Sequence, residues 1–153
     1  MFDLLLSIFE KLFAEKRDDG EVAPHLETGL RGEEAAEKAL VKDGYTILAR
    51  RWGTKQQRGD IDLVAWKDEA LVFVEVKARS AHDRAAAEIA VDHSKRKTLR
   101  KLARIYLNQF GRKPEAVRFD VVSVYLLPGK PAEVQHLQSA FGWKERKFFR
   151  SHY

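Results

Sequence analysis

Between Gly59 and Lys77, two largely apolar runs flank the polar turn Lys67-Asp68-Glu69 and carry ionic residues towards their far ends, and this hairpin pattern limits the possible folds more than any other stretch of the chain. With the loop centred between Asp68 and Glu69, Ala65 faces Val72, Leu63 faces Val74 and Ile61 faces Val76, so one face is wholly apolar. The same register sets Asp62 across from Glu75, with Lys77 two residues further on and on the same side. Directly opposed residues have Cβ atoms roughly 4.5–5.5 Å apart. One oxygen-seeking divalent cation can bridge that span. Val64, Trp66, Leu71 and Phe73 fill the rest of the ionic face, so it too is expected to be covered, and charges at the end of a covered sheet tend to be functional. The plainer alternative is a surface cluster in which Lys77 neutralises two acids.

Residues 45–52 share the β-branched and aromatic character of the hairpin and extend it to a three-stranded meander. Ahead of it, Thr28 can cap a helix running to about Lys42, with Ala36, Ala39 and Leu40 on one face and Gly44 placed to end it. Glu33 stands three residues before Ala36 and seven before Leu40, hence towards the buried side, where a lone carboxylate is costly. The alternative for Glu33 is a carboxylate in the early turns, favoured by the helix dipole. Residues 78–93 read as irregular or partly helical. A second helix is predicted over 94–110, with Leu99, Leu102, Tyr106, Leu107 and Phe110 on its apolar side. Gly111 and Pro114 end it, and 117–127 is an apolar strand broken only by Asp120 and Ser123, which suits a central position. A short strand around Val134 follows. Helix, three strands, helix, strand is an α/β layer pattern.

One domain is expected over residues 28–141. In front of it, residues 1–16 place Phe2, Leu5, Leu6, Phe9, Leu12 and Phe13 at helical spacing. Such an amphipathic leader helix needs a surface to cover: its own domain, a second copy in a homodimer, a partner protein or, as the lesser alternative, a membrane interface. Asp3, Glu10 and Lys11 interrupt it, so it reads as neither a signal peptide nor a membrane span. Residues 17–27 read as a linker. Residues 142–153 form a basic aromatic tail whose Trp143, Phe148 and Phe149 can stack on bases or dock on the domain.

The absence of cysteine excludes a disulfide framework, thiolate metal sites and thiol catalysis, and fits a cytoplasmic setting. A net charge of +5 favours acidic partners. The excess is concentrated: Lys95, Arg96, Lys97, Arg100 and Lys101 crowd the second helix, and no acidic residue lies between His93 and Pro114. Cations in a helix's first turn oppose the macrodipole unless an anion such as a phosphate offsets them. Arg51, Lys55 and Arg58 before the hairpin and Arg79 after it can continue a phosphate-binding track on either side of the carboxylates. A solvated basic face is the alternative. The five histidines show no ligand-like spacing, and phosphate-binding glycine loops are absent.

GDIDLV followed by FVEVK resembles the PD-(D/E)xK nuclease signature, found in many restriction enzymes and Holliday-junction resolvases. More narrowly, RGEEAAEKAL, GYTILARRW, GDIDLVA, LVFVEVKARS, AVDHSKRKTL, RFDVVSVY and HLQSAF, in that order over residues 29–141, resemble the YraN family of bacterial proteins. The resemblance implies a restriction-endonuclease-like core, a mixed central sheet flanked by helices. It implies that Asp62 and Glu75 are metal-binding acids, that Lys77 positions or activates the attacking water, and that Glu33 is the acid of the first helix. Asp60 stands where the YraN pattern usually has Glu, and Arg51 where it often has Asn. Asp60 is an auxiliary ligand or a turn residue beside Gly59.

The sequence thus points to a Mg²⁺- or Mn²⁺-dependent endonuclease-like protein hydrolysing DNA, more than RNA, with branched or recombination-type DNA among its candidate substrates. The rival is a non-catalytic module that keeps the nuclease fold to bind nucleic acid or dock a protein.

Overall fold

The computed structural model describes residues 24–79 and 91–145. The readings made for the leader helix, for most of the stretch after the hairpin and for Phe148, Phe149 and their basic neighbours fall outside the described residues.

The first helix, α1 (Pro24–Lys42), begins ahead of Thr28, so the end of the expected linker is already helical. Proline's fixed φ suits a first turn, where a missing N–H costs nothing, and Glu27 in that turn complements the dipole. Gly44 ends the helix at φ +89°. Its N–H donates to Val41 and that of Tyr45 to Leu40, both at 3.0 Å, a Schellman closure that needs a left-handed residue at this position.

Strands β1 (Thr46–Trp52), β2 (Ile61–Lys67) and β3 (Ala70–Arg79) form the expected antiparallel meander. Leu63 pairs with Val74 and Ala65 with Val72, as the sequence register requires. Lys67 pairs with Ala70, leaving Asp68 (φ +50°) and Glu69 (φ +61°) as a two-residue loop with both residues left-handed. Loops of that kind match the twist of a hairpin. Helix α2 (His93–Gln109) lies between β3 and the parallel strand β4 (Ala116–Tyr125), and β5 (Glu133–Phe141) closes the far edge antiparallel to β4. The sheet order is β1-β2-β3-β4-β5. The short strand expected near Val134 is thus a full edge strand, bulged against Phe119 and Val121. The fold is the expected mixed sheet with a helix on each face.

Alternation along the strands sends side chains into two cores. Ala36 and Leu40 of α1 pack on Leu63, Ala65, Val72, Val74, Val122 and Val124. Leu99, Leu102 and Ala103 of α2 pack on Val64, Leu71, Phe73, Phe119 and Val121, with Phe73 and Phe119 stacked at 5.7 Å between ring centres. Each fully buried Leu or Phe contributes about 1.5–3 kcal/mol relative to exposure. One sequence expectation is corrected here: Ile61 joins the α2 core and not the face of Leu63 and Ala65. The bonded β2–β3 ladder stops at Leu63, and beyond it strict alternation no longer holds the chain. Trp143 also settles on the domain, edge-on to Phe119 at 4.9 Å, with the Arg104 guanidinium over its ring.

Helix α1 comes close to β3 at Gly32, where an added Cβ would lie 2.6 Å from the Ala78 Cβ. Gly32→Ala should therefore destabilise the protein by about 1–3 kcal/mol in urea denaturation, despite the helix-propensity gain of about 1 kcal/mol that alanine ordinarily brings.

A candidate acid–lysine site at the end of the hairpin

Where the β2–β3 ladder ends, a side chain takes over. The Asp62 Oδ2 accepts the Val76 N–H at 2.7 Å, so the carboxylate closes the hairpin where a backbone carbonyl otherwise would. Glu75 lies on the neighbouring strand and is only 5% exposed, because β3 is the middle strand and α2 covers this face. Lys77, two residues on, brings its Nζ to 3.4 Å from Glu75 Oε1. The structure thus brings Asp62, Glu75 and Lys77 together at one end of the sheet.

The electrostatics are unbalanced. The Asp62 carboxyl is pushed up to about 7, first by burial and next by the charge of Glu75, with Glu33 adding to both; the Val76 N–H and the Lys95 charge work against the rise. Glu75 Oε2 is buried without a hydrogen-bond donor. A buried carboxylate oxygen in that condition carries most of its desolvation cost uncompensated.

Glu33 lies near enough to act on Asp62, but its own carboxylate accepts two hydrogen bonds from Arg51, at 2.8 Å from Nε and 3.2 Å from Nη2. Among the described residues no three acids or histidines are grouped to hold a metal. The oxygen donors on hand are the Asp62–Glu75 pair. That pair fits Mg²⁺, which is usually held by one or two carboxylates and completes its shell with water and substrate phosphates. The donorless Oε2 and the proton-retaining Asp62 are what two acids facing each other without a sufficient cation would show.

Arg51 is drawn into this site and away from the outer track: besides Glu33 it feels the charges of Asp60 and Asp62. Its backbone is left-handed, φ +44°. Asparagine tolerates that conformation better than arginine, which gives a physical reason for the Asn that the YraN pattern often carries here.

The other predicted cations divide into two groups. Lys55, Arg58, Lys97 and Lys101 are exposed and, among the described residues, have no carboxylate partner. The Gly59 loop carrying the first two lies on α2, since a Cβ at Gly59 (φ +96°) would be 3.0 Å from Thr98 Cγ2. Arg79 is half-buried. Arg96 and Arg100 turn inward: Glu145 receives Arg96 Nε at 3.1 Å and Arg100 Nη1 at 2.9 Å, and Arg100 Nε donates to the Gly142 carbonyl at 2.8 Å. These bonds hold the Glu145 carboxyl below its ordinary range. The anion that the first turn of α2 demands is thus partly supplied from within the chain, and the Asp92 side chain caps the helix by accepting the Lys95 N–H at 2.8 Å. Sequence separation hid Glu145; the acid–cation imbalance of α2 was the available signal. Lys95 itself, read as part of the track, has its Nζ 3.7 Å from Glu75 Oε2.

A second ionic cluster stands at the other end of α1. Burial would raise the Asp120 carboxyl, but His136, Arg118 and the Ser139 N–H hold it below its ordinary range. Arg118 also donates to the Tyr45 hydroxyl at 2.7 Å. With its acceptors filled, this cluster fixes the β4–β5 bulge and leaves nothing for a ligand.

Among the described residues no helix is long and apolar enough to cross a membrane. The profile of the uncharacterised protein family UPF0102 matches residues 32–124. The chain is 48% identical over 117 residues to a UPF0102 protein of Koribacter versatilis, covering 76% of this chain and 80% of that one. It is 43% identical over 113 residues to one of Solibacter usitatus (74% and 84% covered) and 36% identical over 120 residues to one of Rhodococcus jostii (78% and 100% covered). The YraN resemblance, the matched span running from within α1 to Val124 of β4, and relatives sharing most of their length show that the chain belongs to the UPF0102 family.

Proposed function

We propose that the protein is a Mg²⁺- or Mn²⁺-dependent phosphodiesterase acting on DNA, with branched or recombination-type DNA as the first substrates to try. The observation that carries the reading is the buried Asp62–Glu75 pair, with one oxygen lacking a donor and one proton retained to about 7, beside Lys77. Asp62 and Glu75 would hold the cation; Glu33, bound to Arg51, would adjust the charge on Asp62 and join only by leaving that arginine. When bound, the cation neutralises the pair and polarises a phosphate. Lys77 would orient the attacking water by hydrogen bonding and stabilise negative charge as it develops. Lys55, Arg58, Lys97 and Lys101 would hold the flanking phosphates, giving affinity without sequence preference.

The rival is a binding module that keeps the fold without turnover; among the described residues no third acid is grouped with the pair. Calorimetry with Mn²⁺ separates the two. The expected result is one binding event on the wild-type protein that Glu75→Ala abolishes, whereas heat unchanged by Glu75→Ala, or none at all, sinks the hydrolytic reading.

A further inference from the structure

The metal-site residues leave one contact unused: the long reach of Lys95 from the opposite layer. Its backbone is fixed, because its N–H is spent on the Asp92 cap at the start of α2. Its side chain is not fixed in the same way. The Nζ has a carbonyl, that of Asp60, at 3.5 Å, and Glu75 Oε2 at 3.7 Å, the latter beyond hydrogen-bond distance. That oxygen is the one with no donor. The ammonium is therefore held by one long hydrogen bond to the Asp60 carbonyl and otherwise by charge, and its side chain is 30% exposed. Lys77, by contrast, lies on the other oxygen of the same carboxylate.

We infer that Lys95 is a stand-in cation: in the metal-free protein its ammonium occupies the side of Glu75 that a divalent ion would use, and an entering ion displaces it towards the substrate's phosphate. This rests on the proposed metal-dependent reading and adds to it a second lysine with a conditional partner. A carboxylate oxygen cannot serve an ammonium and a divalent cation a few ångströms apart without strong repulsion between the two. The flexible four-carbon stem of lysine, anchored at a fixed helix start, lets the head swing while the helix stays in place. Without nucleic acid, Lys95 and the metal compete. With a phosphate present to receive the ammonium, the competition is relieved, so DNA and metal each tighten the other's binding by the same factor.

Two measurements test this. In Mn²⁺ calorimetry without nucleic acid, Lys95→Met should bind about tenfold or more tightly than wild type, a difference of about 1.4 kcal/mol, while Lys95→Arg, which keeps the charge, should bind like wild type. On the unaltered protein, where no variant can misfold, Mn²⁺ should raise the rate at which an amine-acylating reagent modifies Lys95, read by peptide mass spectrometry. Equal or weaker Mn²⁺ binding by Lys95→Met, or Lys95 acylation indifferent to Mn²⁺, overturns the inference and leaves the metal site standing. Failure of wild type and Lys95→Met alike to bind Mn²⁺ overturns the metal site, and the inference falls with it.

Discussion

Asp62→Ala and Lys77→Ala proteins are expected to retain DNA binding while losing cleavage. On a panel of single-stranded, duplex, flapped and four-way DNA with Mg²⁺ or Mn²⁺, Lys77→Ala should fall by roughly 10²–10⁴-fold, the usual worth of a residue that positions or relays a proton. Asp62→Ala should fall at least as far, since half of the carboxylate pair goes with it. Binding should persist because the exposed cations proposed to hold phosphates, Lys55, Arg58, Lys97 and Lys101, are on other segments. Undiminished cleavage by both variants would exclude this site as the origin of any nuclease activity.

The second large effect is on stability and runs opposite to the first. In the folded protein the Asp62 carboxyl is raised from 3.8 to about 7, chiefly by burial and then by Glu75. A raised acid holds its proton in the native state when the unfolded chain has already released it, so stability falls as pH climbs from about 4 to about 7 and then levels. Asp62→Asn keeps an oxygen for the Val76 N–H and does not titrate. In EDTA it should be more stable than wild type at pH 8, by up to about 4 kcal/mol at 1.36 kcal/mol per pH unit, with little difference at pH 4. Urea denaturation at the two pH values reads this directly. Added Mg²⁺ should narrow the gap at pH 8 by stabilising the wild type alone; a flat pH profile in wild type would contradict the raised carboxyl.

Much of this was readable in the chain because local rules agreed. The hairpin register from Leu63 to Lys67 followed from loop position and side-chain alternation; Asp62 lies beyond that ladder and nears Glu75 through its own bond to the Val76 N–H. Gly44 ended its helix for the reason its residue type suggests. What escaped were pairings set by tertiary packing. Nothing in the composition of α2 says that Arg96 and Arg100 will find Glu145, or that Lys95 will reach across to Glu75, because those partners are brought together only when α2 packs on the sheet. Likewise, Ile61 changed layers where the ladder stopped, a boundary that alternation alone does not mark.

The order of the sheet has a consequence for how such a protein can diversify. Glu75 and Lys77 ride on the one strand with two neighbours on either side, so fraying from the margins reaches them last. The Gly59 loop and the outermost strands bear less of the burial, so changes of length and charge there disturb the core less. On the proposed reading the hydrolytic residues lie in the middle of the sheet and the phosphate-holding cations of the Gly59 loop at its perimeter, so a change in one would leave the other in place.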